Sequence, residues 1–564
     1  MSLLRKNWPY ALLLIIILLG TFLRFNDLSA VPPGIYPDEA KNANDAIQTL
    51  QSGEYQLFYP ENNGREGLYI WLIALSFQFF GISIFSLKLV SALAGTLTIW
   101  ATYLLTKEFL RFANQHTTFG NLKISQIATE AVSLLSAGFL ATSFWHINFS
   151  RIGFRAILVP LILSLALFYT LRAFRTKQTL SYALAGIFWG LGFYTYIAFR
   201  LSYLILIVFF LLSFIFYLIH RKPRFTFEWI KIIFFQDKWW KVKFMGIVTF
   251  LVMAPLILYF VNNPEYFISR ATSISVFEDP NPILSFFKSL TVHFRMLFFG
   301  GDLNWRHNFS GEAQLLWPLA ILFIFGLWES LKELMQGWRR KNWTAVTSHL
   351  TLLASLGAMM LPAVLTIEGI PHALRAIGMM PFVFIYSAFG FLFLIRKLFK
   401  HKYHRAEIWP FGIGAVMIII LLLASFQFTH YFIDWGKNSE VEGAFAKNYV
   451  AIGEYFNSLG DFNQKYLIVN DGGAEVSYPD LILVEENENG TLPMSAQTTL
   501  FIQQINNTSL KTTTYIRSDE LPVKAPLKSI FVPLRATEEI KNKLNSMYPG
   551  GTELEFEYFW VYAL

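Results

Sequence analysis

The sequence predicts a polytopic α-helical membrane protein with a small C-terminal α/β domain, and two observations lead to this prediction. Of the 564 residues, 54% are hydrophobic and only 15% are charged, whereas soluble domains carry about a quarter charged residues. The apolar residues fall in blocks of about 18 to 24 that short basic or polar stretches separate, as repeated bilayer crossing requires. The composition therefore excludes an ordinary soluble enzyme.

The charge balance and the cysteine count narrow the function classes. The chain contains no Cys, which excludes disulfides, thiolate metal sites and a cysteine nucleophile. The net charge is +8, but in a membrane protein the location of the charges matters more than their sum. A nucleic-acid partner is therefore not implied.

About 11 membrane-spanning helices are predicted from the apolar runs. The first run carries no small-residue cleavage site directly after it and is interpreted as a retained span. The segment Leu68–Phe80 is too short to cross and is interpreted as interfacial or re-entrant. The predicted spans are 8–23, 84–105, 128–146, 156–174, 181–199, 201–220, 244–262, 315–334, 349–366, 376–396 and 409–432.

The distribution of Lys and Arg gives the orientation of these spans. With the N-terminus inside, the inner segments hold 24 Lys and Arg residues and the outer loops hold nine. This asymmetry is what the positive-inside rule requires. The odd number of spans then places the C-terminal residues outside.

The composition changes near residue 433. Residues 1–433 are predicted to form a transmembrane module whose first outer loop is 25–67, and residues 434–564 a small α/β domain on the extracytoplasmic side. In the second segment, strand-like runs such as KYLIVN and SIFVPL alternate with helix-like stretches such as TEEIKNKLNSMY. We expect this domain to lie over the outer opening and to help recognise an acceptor, although nothing in its sequence names a ligand.

The first outer loop carries the first candidate site residues. Asp38 and Glu39 follow Pro37 and precede a helix-like stretch, so they are either first-turn acidity at a helix N-terminus or a general base beside a second acid. Arg65 is flanked by Gly64 and Gly67, which would let it approach a phosphate closely. The alternative for Arg65 is a snorkelling side chain at the membrane boundary.

Two later outer segments each pair a His with an Arg. Arg306 and His307 lie in the segment 302–308, and His372 and Arg375 in the segment 368–375. These side chains are the donors that bind an anionic phosphate in a headgroup region. The alternative is that all four are interfacial anchors. The span centres contain almost no Asp or Glu, which argues against an ion-driven transporter.

The metal-ligand pattern is weak. The sequence has no HExxH motif and no pair of outer histidines at i, i+4 spacing, so it predicts no dedicated metal site. A divalent ion, Mg²⁺ or Mn²⁺, held by Asp38 or Glu39 and a donor phosphate is compatible with the preference of these ions for hard oxygen ligands.

The order of several short motifs carries a resemblance to a known family. A PDEA motif follows the first span, and a Gly-basic-x-x-LYIWL segment leads into FGISIFSLKLVSALAGTLTIWATYLL. The stretches FSRIGFRAILVPL, GDLNWRHNFSG and PHALRAIGMMPFVFIYSAFG follow in the same order. Over about residues 8–400 the chain resembles the bacterial family-39 glycosyltransferases of the GT-C fold, relatives of protein O-mannosyltransferases and lipid A aminoarabinose transferases.

The resemblance implies a GT-C-like fold and a specific reaction. A hexosyl or pentosyl group would pass, with inversion, from a polyprenyl-phosphate carrier to a lipid, glycan or protein acceptor at the outer face of the cytoplasmic membrane. The matching catalytic acid/base residue is Asp38, with Glu39 as the neighbouring acid, and the residue that contacts the lipid phosphate falls on Arg65. Many relatives carry Lys followed by Pro-Pro there; this chain has Arg65-Glu66-Gly67, which keeps the charge and gains a bidentate fork.

Elementary chemistry favours the same reaction. A phosphate is a good leaving group, so the enzyme needs one base for the acceptor and cations for the departing charge. A nucleotide-sugar donor is disfavoured because the inner segments carry no phosphate-binding glycine loop followed by a helix. Two other classes stay open: a flippase or carrier of lipid-linked sugar, and a membrane-anchored binding protein whose active part is the C-terminal domain.

Overall fold

A computed structural model describes most of the chain. The described residues are 2–114, 126–221, 239–267, 275–398, 409–459, 463–477, 483–484, 491–506 and 513–564. Three of the predicted basic inner loops, 106–127, 221–243 and 397–408, lie partly outside them.

Most of the described residues are helical, as the apolar runs predict. The helices before residue 430 are α1 Ser2–Phe25, α2 Pro37–Ser52, α3 Leu68–Phe80, α4 Ile84–Ala113, α5 Gln126–Ala141, α6 Phe144–Phe149, α7 Leu158–Thr176, α8 Thr179–Gly192, α9 Tyr203–Arg221, α10 Trp240–Asn262, α11 Pro282–Met296, α12 Trp317–Arg339, α13 Trp343–Val364, α14 Met380–Leu398 and α15 Trp409–Thr429. The later helices are α16 Ser439–Ala444, α17 Lys447–Ser458, α18 Gln497–Asn506 and α19 Glu538–Met547.

The chain is a multi-pass helical membrane protein. Within the described residues, eight helices are long and apolar enough to cross a bilayer by length and composition, and all eight coincide with predicted spans. Three other predicted spans correspond to shorter or more charged helices: α5 has 16 residues, α8 has 14, and α12 carries Glu329, Lys332 and Glu333 in its second half. Helix α3 has the 13 residues expected for the segment that is too short to cross.

The described chain divides into two compact units. The first unit contains residues 1–26, 91–150 and 155–431, and the second contains residues 27–90, 151–154 and 432–564. Most of the first outer loop therefore belongs to the same compact unit as the C-terminal residues. The domain boundary after residue 433 stays a prediction.

Two glycines allow close helix packing in the first unit. A Cβ added to Gly326 of α12 would lie 1.7 Å from the carbonyl oxygen of Tyr386, and one added to Gly390 of α14 would lie 1.8 Å from that of Leu322. The backbones of α12 and α14 are thus in direct contact at both positions. Small residues at helix interfaces serve this purpose in membranes, where hydrophobic driving force between helices is lacking.

The second unit contains a mixed β-sheet. Its strands run in the order β5-β7-β3-β8-β10-β9; β3 is parallel to β7 and β8, β5 is parallel to β7, and β10 is antiparallel to both β8 and β9. The strands are β3 Gln464–Val469, β5 Leu483–Val484, β7 Thr513–Arg517, β8 Ser529–Pro533, β9 Thr552–Glu555 and β10 Trp560–Ala563. Two further antiparallel pairs of short strands join β1 Phe58–Tyr59 to β2 Arg65–Glu66 and β4 Glu475–Ser477 to β6 Thr491–Pro493.

Alternate residues of the central strand β3 face opposite layers of helices. Leu467 packs in one hydrophobic cluster with α17 and α18, while Tyr466 and Ile468 pack in another with α19. This alternation is the period-2 pattern of a strand buried on both faces. The arrangement confirms the predicted C-terminal α/β domain.

We expect Gly390→Ala to destabilise the first unit, because the new methyl group would overlap the Leu322 carbonyl oxygen. Overpacking of this kind costs about 1–3 kcal/mol. Thermal unfolding of the detergent-solubilised protein measures the loss. Gly357→Ala in α13 is the matched control, since no atom lies within 4 Å of its added Cβ. Equal unfolding temperatures for the two variants would contradict the close approach.

Candidate active site

The N-terminus of α2 presents the two predicted carboxylates. Tyr36 is the N-cap, Pro37 is the first helical residue, and Asp38 and Glu39 follow in the first turn. Pro37 suits this place because its fixed φ is helical and it has no N–H to leave unpaired. The Tyr36 backbone N–H donates to Glu39 Oε1 at 3.4 Å, so Glu39 caps its own helix.

Glu39 is fully buried and bound by the backbone of a distant segment. Its Oε2 accepts the Gly153 N–H at 2.6 Å, while its charge interacts with buried Lys88. A buried carboxylate needs such partners because an isolated charge is expensive to remove from water. Both oxygens are thus used in holding the loop, which favours a positioning role for Glu39 over proton transfer.

The loop that precedes α2 is held by two buried cations. Lys88 donates to the Pro32 carbonyl oxygen at 3.1 Å, and Arg151 donates to the carbonyl oxygens of Asp27 and Val31 at 3.1 and 2.8 Å. Backbone carbonyls buried in a loop must find donors, and here long basic side chains supply them. The loop that leads into α2 is therefore held by hydrogen bonds from two different segments of the chain.

Asp38 lies in a different environment from its neighbour. It is half-buried, and its Oδ1 accepts a hydrogen bond from Asn62 Nδ2 at 2.6 Å. Asn62 lies in a turn in which residues 62, 63 and 64 all have positive φ, the conformation that Asn and Gly tolerate best. Asp38 also lines a polar cavity of about 690 Å³ within the second unit.

Arg65 is buried in an ion-pair network of the second unit. Its side chain is 1% exposed, Nη2 lies 2.5 Å from Asp45 Oδ2, and Nη1 donates to Asn42 Oδ1 at 3.0 Å. Lys41 joins this network, with Nζ 2.9 Å from Asp45 and 2.7 Å from Glu61. Burial alone would raise the pKa of Glu61, but the Lys41 charge and hydrogen bond lower it below its usual value. Phosphate binding by Arg65 stays a prediction, and these contacts favour a structural role.

The other four predicted residues lie in the first unit, where Asp302 joins their two segments. Asp302 Oδ2 accepts a hydrogen bond from His307 Nδ1 at 2.9 Å and one from the Ala373 N–H at 2.7 Å. The rings of His307 and His372 lie 4.8 Å apart between centroids. The segments 302–308 and 368–375, which are far apart in sequence, are thus packed together.

Arg375 and Arg306 lie at the edge of this cluster. Arg375 is buried and pairs with exposed Glu368 at 2.8 Å, and its Nη1 also donates to Thr366 Oγ1 at 2.8 Å. Half-buried Arg306 donates through Nε to Asn304 Oδ1 at 3.2 Å. The charge of Arg375 acts on His307, as does that of Arg306. The cluster therefore combines two guanidinium groups with two imidazoles.

Burial disfavours the charged form of two histidines in this region, His307 and His293. Burial lowers the pKa of His307, against the opposing effect of Asp302. Burial also lowers the pKa of His293, whose Nε2 accepts the His372 N–H at 3.1 Å. A neutral imidazole can still donate one hydrogen bond, and the two arginines supply permanent positive charge to the cluster.

Three residues of the cluster have the donor types of a metal site. Ligand atoms of Asp302, His307 and His372 lie within 4.8 Å of one another. In the present arrangement Asp302 Oδ2 already accepts two hydrogen bonds, one of them from His307 Nδ1. A metal that used both Asp302 Oδ2 and His307 Nδ1 would have to replace the hydrogen bond between these two atoms. A divalent ion at Asp38 or Glu39 stays a prediction.

Sequence reasoning missed four contributors to these sites. Asn62 and Asp45 hold Asp38 and Arg65, while Asp302 and His293 hold the two His-Arg segments. Asp302 lay inside a segment that the sequence marked, but no spacing rule connects it to residue 373. The Asn-Asn-Gly run at 62–64 was the available signal for the turn that presents Asn62.

We expect Asp45→Asn to destabilise the second unit strongly, because it leaves the buried Arg65 guanidinium without its counter-ion. Removal of one partner from a buried pair typically costs about 3–5 kcal/mol. Limited proteolysis and thermal unfolding of the full chain measure this loss. A double variant, Asp45→Leu with Arg65→Met, should recover much of it because no buried charge then lacks a partner.

The matched control is the half-exposed pair of Arg517 and Glu475, at 3.0 Å. Glu475→Gln should change the unfolding free energy by less than about 1 kcal/mol, as is usual for exposed pairs. If Asp45→Asn were as mild as this control, the network around Arg65 would not be a structural element.

Comparison with known proteins is informative at the level of fold. No protein-family model and no curated protein sequence matches the chain. Among solved structures, the chain is similar to ArnT from Cupriavidus metallidurans bound to undecaprenyl phosphate, with 11% identity, 99% of this chain and 98% of that chain covered, and a TM-score of 0.51. The apo structure of the same ArnT gives 12% identity, the same coverage and a TM-score of 0.50.

A weaker likeness extends to an archaeal protein. The oligosaccharyltransferase AglB from Archaeoglobus fulgidus, in complex with an inhibitory peptide and a dolichol-phosphate, has 14% identity, 99% of this chain and 74% of that chain covered, and a TM-score of 0.48. A score below 0.5 is too low to define a common fold. The end-to-end likeness to ArnT nevertheless confirms the predicted GT-C-like fold class.

Proposed function

We propose that this protein transfers a sugar from a polyprenyl-phosphate carrier to an acceptor at the outer face of the cytoplasmic membrane, with inversion at the anomeric carbon. The proposal rests on the position of Asp38: its half-buried carboxylate lines a polar cavity and accepts a hydrogen bond from Asn62. The shared fold with ArnT, whose structure holds undecaprenyl phosphate, supports the choice of donor class. The C-terminal residues 434–564 would then be extracytoplasmic.

The reaction follows from the chemistry of the groups. Asp38 accepts the proton of the acceptor's hydroxyl or amine as that group attacks the anomeric carbon. The bond between the anomeric carbon and the phosphate oxygen breaks, and the electron pair leaves with the lipid phosphate. A single displacement of this kind inverts the configuration. The free oxygen of Asp38, the one that Asn62 does not bind, is the proton acceptor.

The donor phosphate is assigned to the cationic cluster of the first unit. Arg306 and Arg375 supply positive charge and N–H donors. His307 and His372 are further candidates, although His307 would first have to release the N–H that it donates to Asp302. Arg65 is another phosphate-binding candidate, although its guanidinium would first have to leave Asp45. Glu39 would act as a positioning residue, because its oxygens hold the backbone of Tyr36 and Gly153.

An apolar cavity in the first unit supports a lipid carrier. It has a volume of about 390 Å³ and its lining combines Phe139 of α5 with Trp317 of α12, Phe391 of α14 and Ile419 of α15. Apolar walls from four helices suit a hydrocarbon chain, for which a polar lining would be unfavourable. The prenyl chain of the donor is the natural occupant under this proposal.

We expect Asp38→Asn to lower sugar transfer by about 10²–10⁴-fold, since the amide cannot accept the proton. The assay incubates purified protein with a panel of polyprenyl-phosphate sugars and follows release of the free lipid phosphate. Glu54→Gln is the matched control, because Glu54 is exposed on the same loop. Activity near that of the unaltered protein in Asp38→Asn, with normal membrane insertion, would contradict the mechanism. Movement of lipid-linked sugar across proteoliposomes without transfer would instead indicate a carrier.

We expect Arg375→Met to weaken use of the donor. Loss of a hydrogen bond from a charged group costs about 1.5–3 kcal/mol, which corresponds to a reduction of roughly 10- to 150-fold in kcat/KM for the lipid donor. Steady-state kinetics at fixed acceptor concentration measure this change, and thermal unfolding checks the fold. Arg295→Met is the control, since Arg295 is exposed at the end of α11. Equal kcat/KM for the two variants would remove Arg375 from the donor site.

A further inference from the structure

The cavity beside Asp38 lies at the carboxyl ends of two parallel strands in the sheet of the second unit. Its lining includes Asp471, Gly472 and Gly473, which follow the end of β3, and Arg535, which follows the end of β8. Strands β3 and β8 are parallel neighbours, so their carboxyl ends meet at one edge. Asp38 reaches this edge from the N-terminus of α2.

The chain leaves this edge in opposite directions. After β3 it continues to α18, which packs on one face of the sheet, and reaches β7 on one side of β3. After β8 it continues to α19, which packs on the other face, and reaches β10 on the far side of β8. The crevice between β3 and β8 is therefore a topological switch point, the position where open α/β sheets bind ligands. A volume of about 690 Å³ is within the usual range for small-molecule sites.

The charges that line the cavity are compensated. Lys447 Nζ lies 2.7 Å from Glu442 Oε1 and also donates to the Tyr558 hydroxyl at 2.6 Å. Arg535 Nη2 lies 2.8 Å from Asp471 Oδ1. Among the described lining residues, both cations are thus paired with carboxylates, and Asp38 adds a further negative charge. This arrangement does not favour an anionic ligand such as a phosphate.

The polar groups of the cavity match a ligand that both donates and accepts. The Tyr449 hydroxyl donates to Asp471 Oδ2, and the Ser495 hydroxyl donates to the Asp471 carbonyl oxygen at 2.8 Å. Tyr558 presents a ring over which Lys447 Nζ lies 4.4 Å from the centroid. Alternating donors and acceptors together with phenol rings are the features that complement hydroxyl groups and the C–H faces of a sugar.

We infer that this cavity binds the acceptor and that the acceptor is a neutral carbohydrate, one of whose hydroxyl groups reaches Asp38. The inference deepens the proposed function and rests on it for the identity of Asp38 as the base. In the reaction the acceptor hydroxyl oxygen bonds to the anomeric carbon of the donor sugar. Its proton passes to Asp38, and the lipid phosphate leaves with the electron pair of the broken bond. The product is a glycan extended by one sugar.

Direct binding to the full chain in detergent, without donor, tests the inference. The probes are methyl glycosides of mannose, glucose and N-acetylglucosamine, with inorganic phosphate as the anionic probe, followed by isothermal titration calorimetry. We expect saturable binding of at least one methyl glycoside, with an affinity that added phosphate does not change, because phosphate should bind the cationic cluster of the first unit instead. Competition between phosphate and the glycoside, or binding of no glycoside in the panel, would overturn the carbohydrate assignment.

Variants of Tyr558 locate the binding. Tyr558→Leu removes the ring and should weaken glycoside binding about tenfold or more, a difference of about 1.4 kcal/mol. Tyr558→Phe keeps the ring and should retain most of the affinity. Tyr55→Leu is the matched control, because Tyr55 is an exposed tyrosine of the same unit that does not line the cavity. Equal affinities for Tyr558→Leu and Tyr55→Leu would place the glycoside elsewhere.

A transfer assay separates this inference from the proposed function. If the unaltered protein and its variants transfer sugar, Tyr558→Leu should raise the KM for the acceptor glycoside and leave the KM for the lipid donor unchanged. Glycoside binding without transfer from any polyprenyl-phosphate sugar would refute the proposed function and leave the carbohydrate site in place. Transfer with an acceptor KM that Tyr558→Leu does not change would refute the carbohydrate site and leave the proposed function in place.

Discussion

The hydrogen bonds that the buried Glu39 carboxylate accepts hold the start of α2, and the position of Asp38 depends on them. The carboxylate accepts backbone N–H groups from Tyr36 and Gly153, and so it ties the start of α2 to a segment more than a hundred residues away. Successive residues of a helix point about 100° apart, so fixing Glu39 also fixes the direction of Asp38. The two adjacent acids therefore have different roles: one holds the backbone and the other lines the cavity.

Helix α2 also shows why this site could be predicted only in part. Lys41, Asn42 and Asp45 lie at helical spacing from Asp38, and such a polar stripe normally predicts a solvated face. In the structure this stripe is buried, and its charges are compensated by Arg65 and Glu61. The sequence predicts the helix and its acidic first turn correctly. Polar residues at helical spacing do not indicate that a strand about 20 residues later supplies their ion-pair partner.

For the fold, too, features set by local sequence could be predicted, whereas features set by distant residues could not. The length and composition of the apolar runs predict the spanning helices well, because a bilayer imposes a physical length on each of them. The run KYLIVN predicts β3 as a strand, because a short apolar run between polar residues is typical of a strand buried on both faces. The order of strands in the sheet and the switch point between β3 and β8 depend instead on pairings between residues about 50 to 65 positions apart, such as Leu467 with Tyr515 and with Val532. No local pattern specifies those pairings.

The cavity of the second unit is lined by one group on a helix start and by others on loops. Asp38 lies in the first turn of α2, which the buried bond between Glu39 and Gly153 holds in place. The other cavity residues, such as Asp471, Arg535 and Tyr558, lie in connections that follow or join strands, where substitutions disturb the core least. Under the proposed function, substitutions in these loops would change which acceptor the cavity binds while Asp38 stays the base. Selectivity for the acceptor would then depend on the loops at the edge of the sheet, and proton transfer on the first turn of α2.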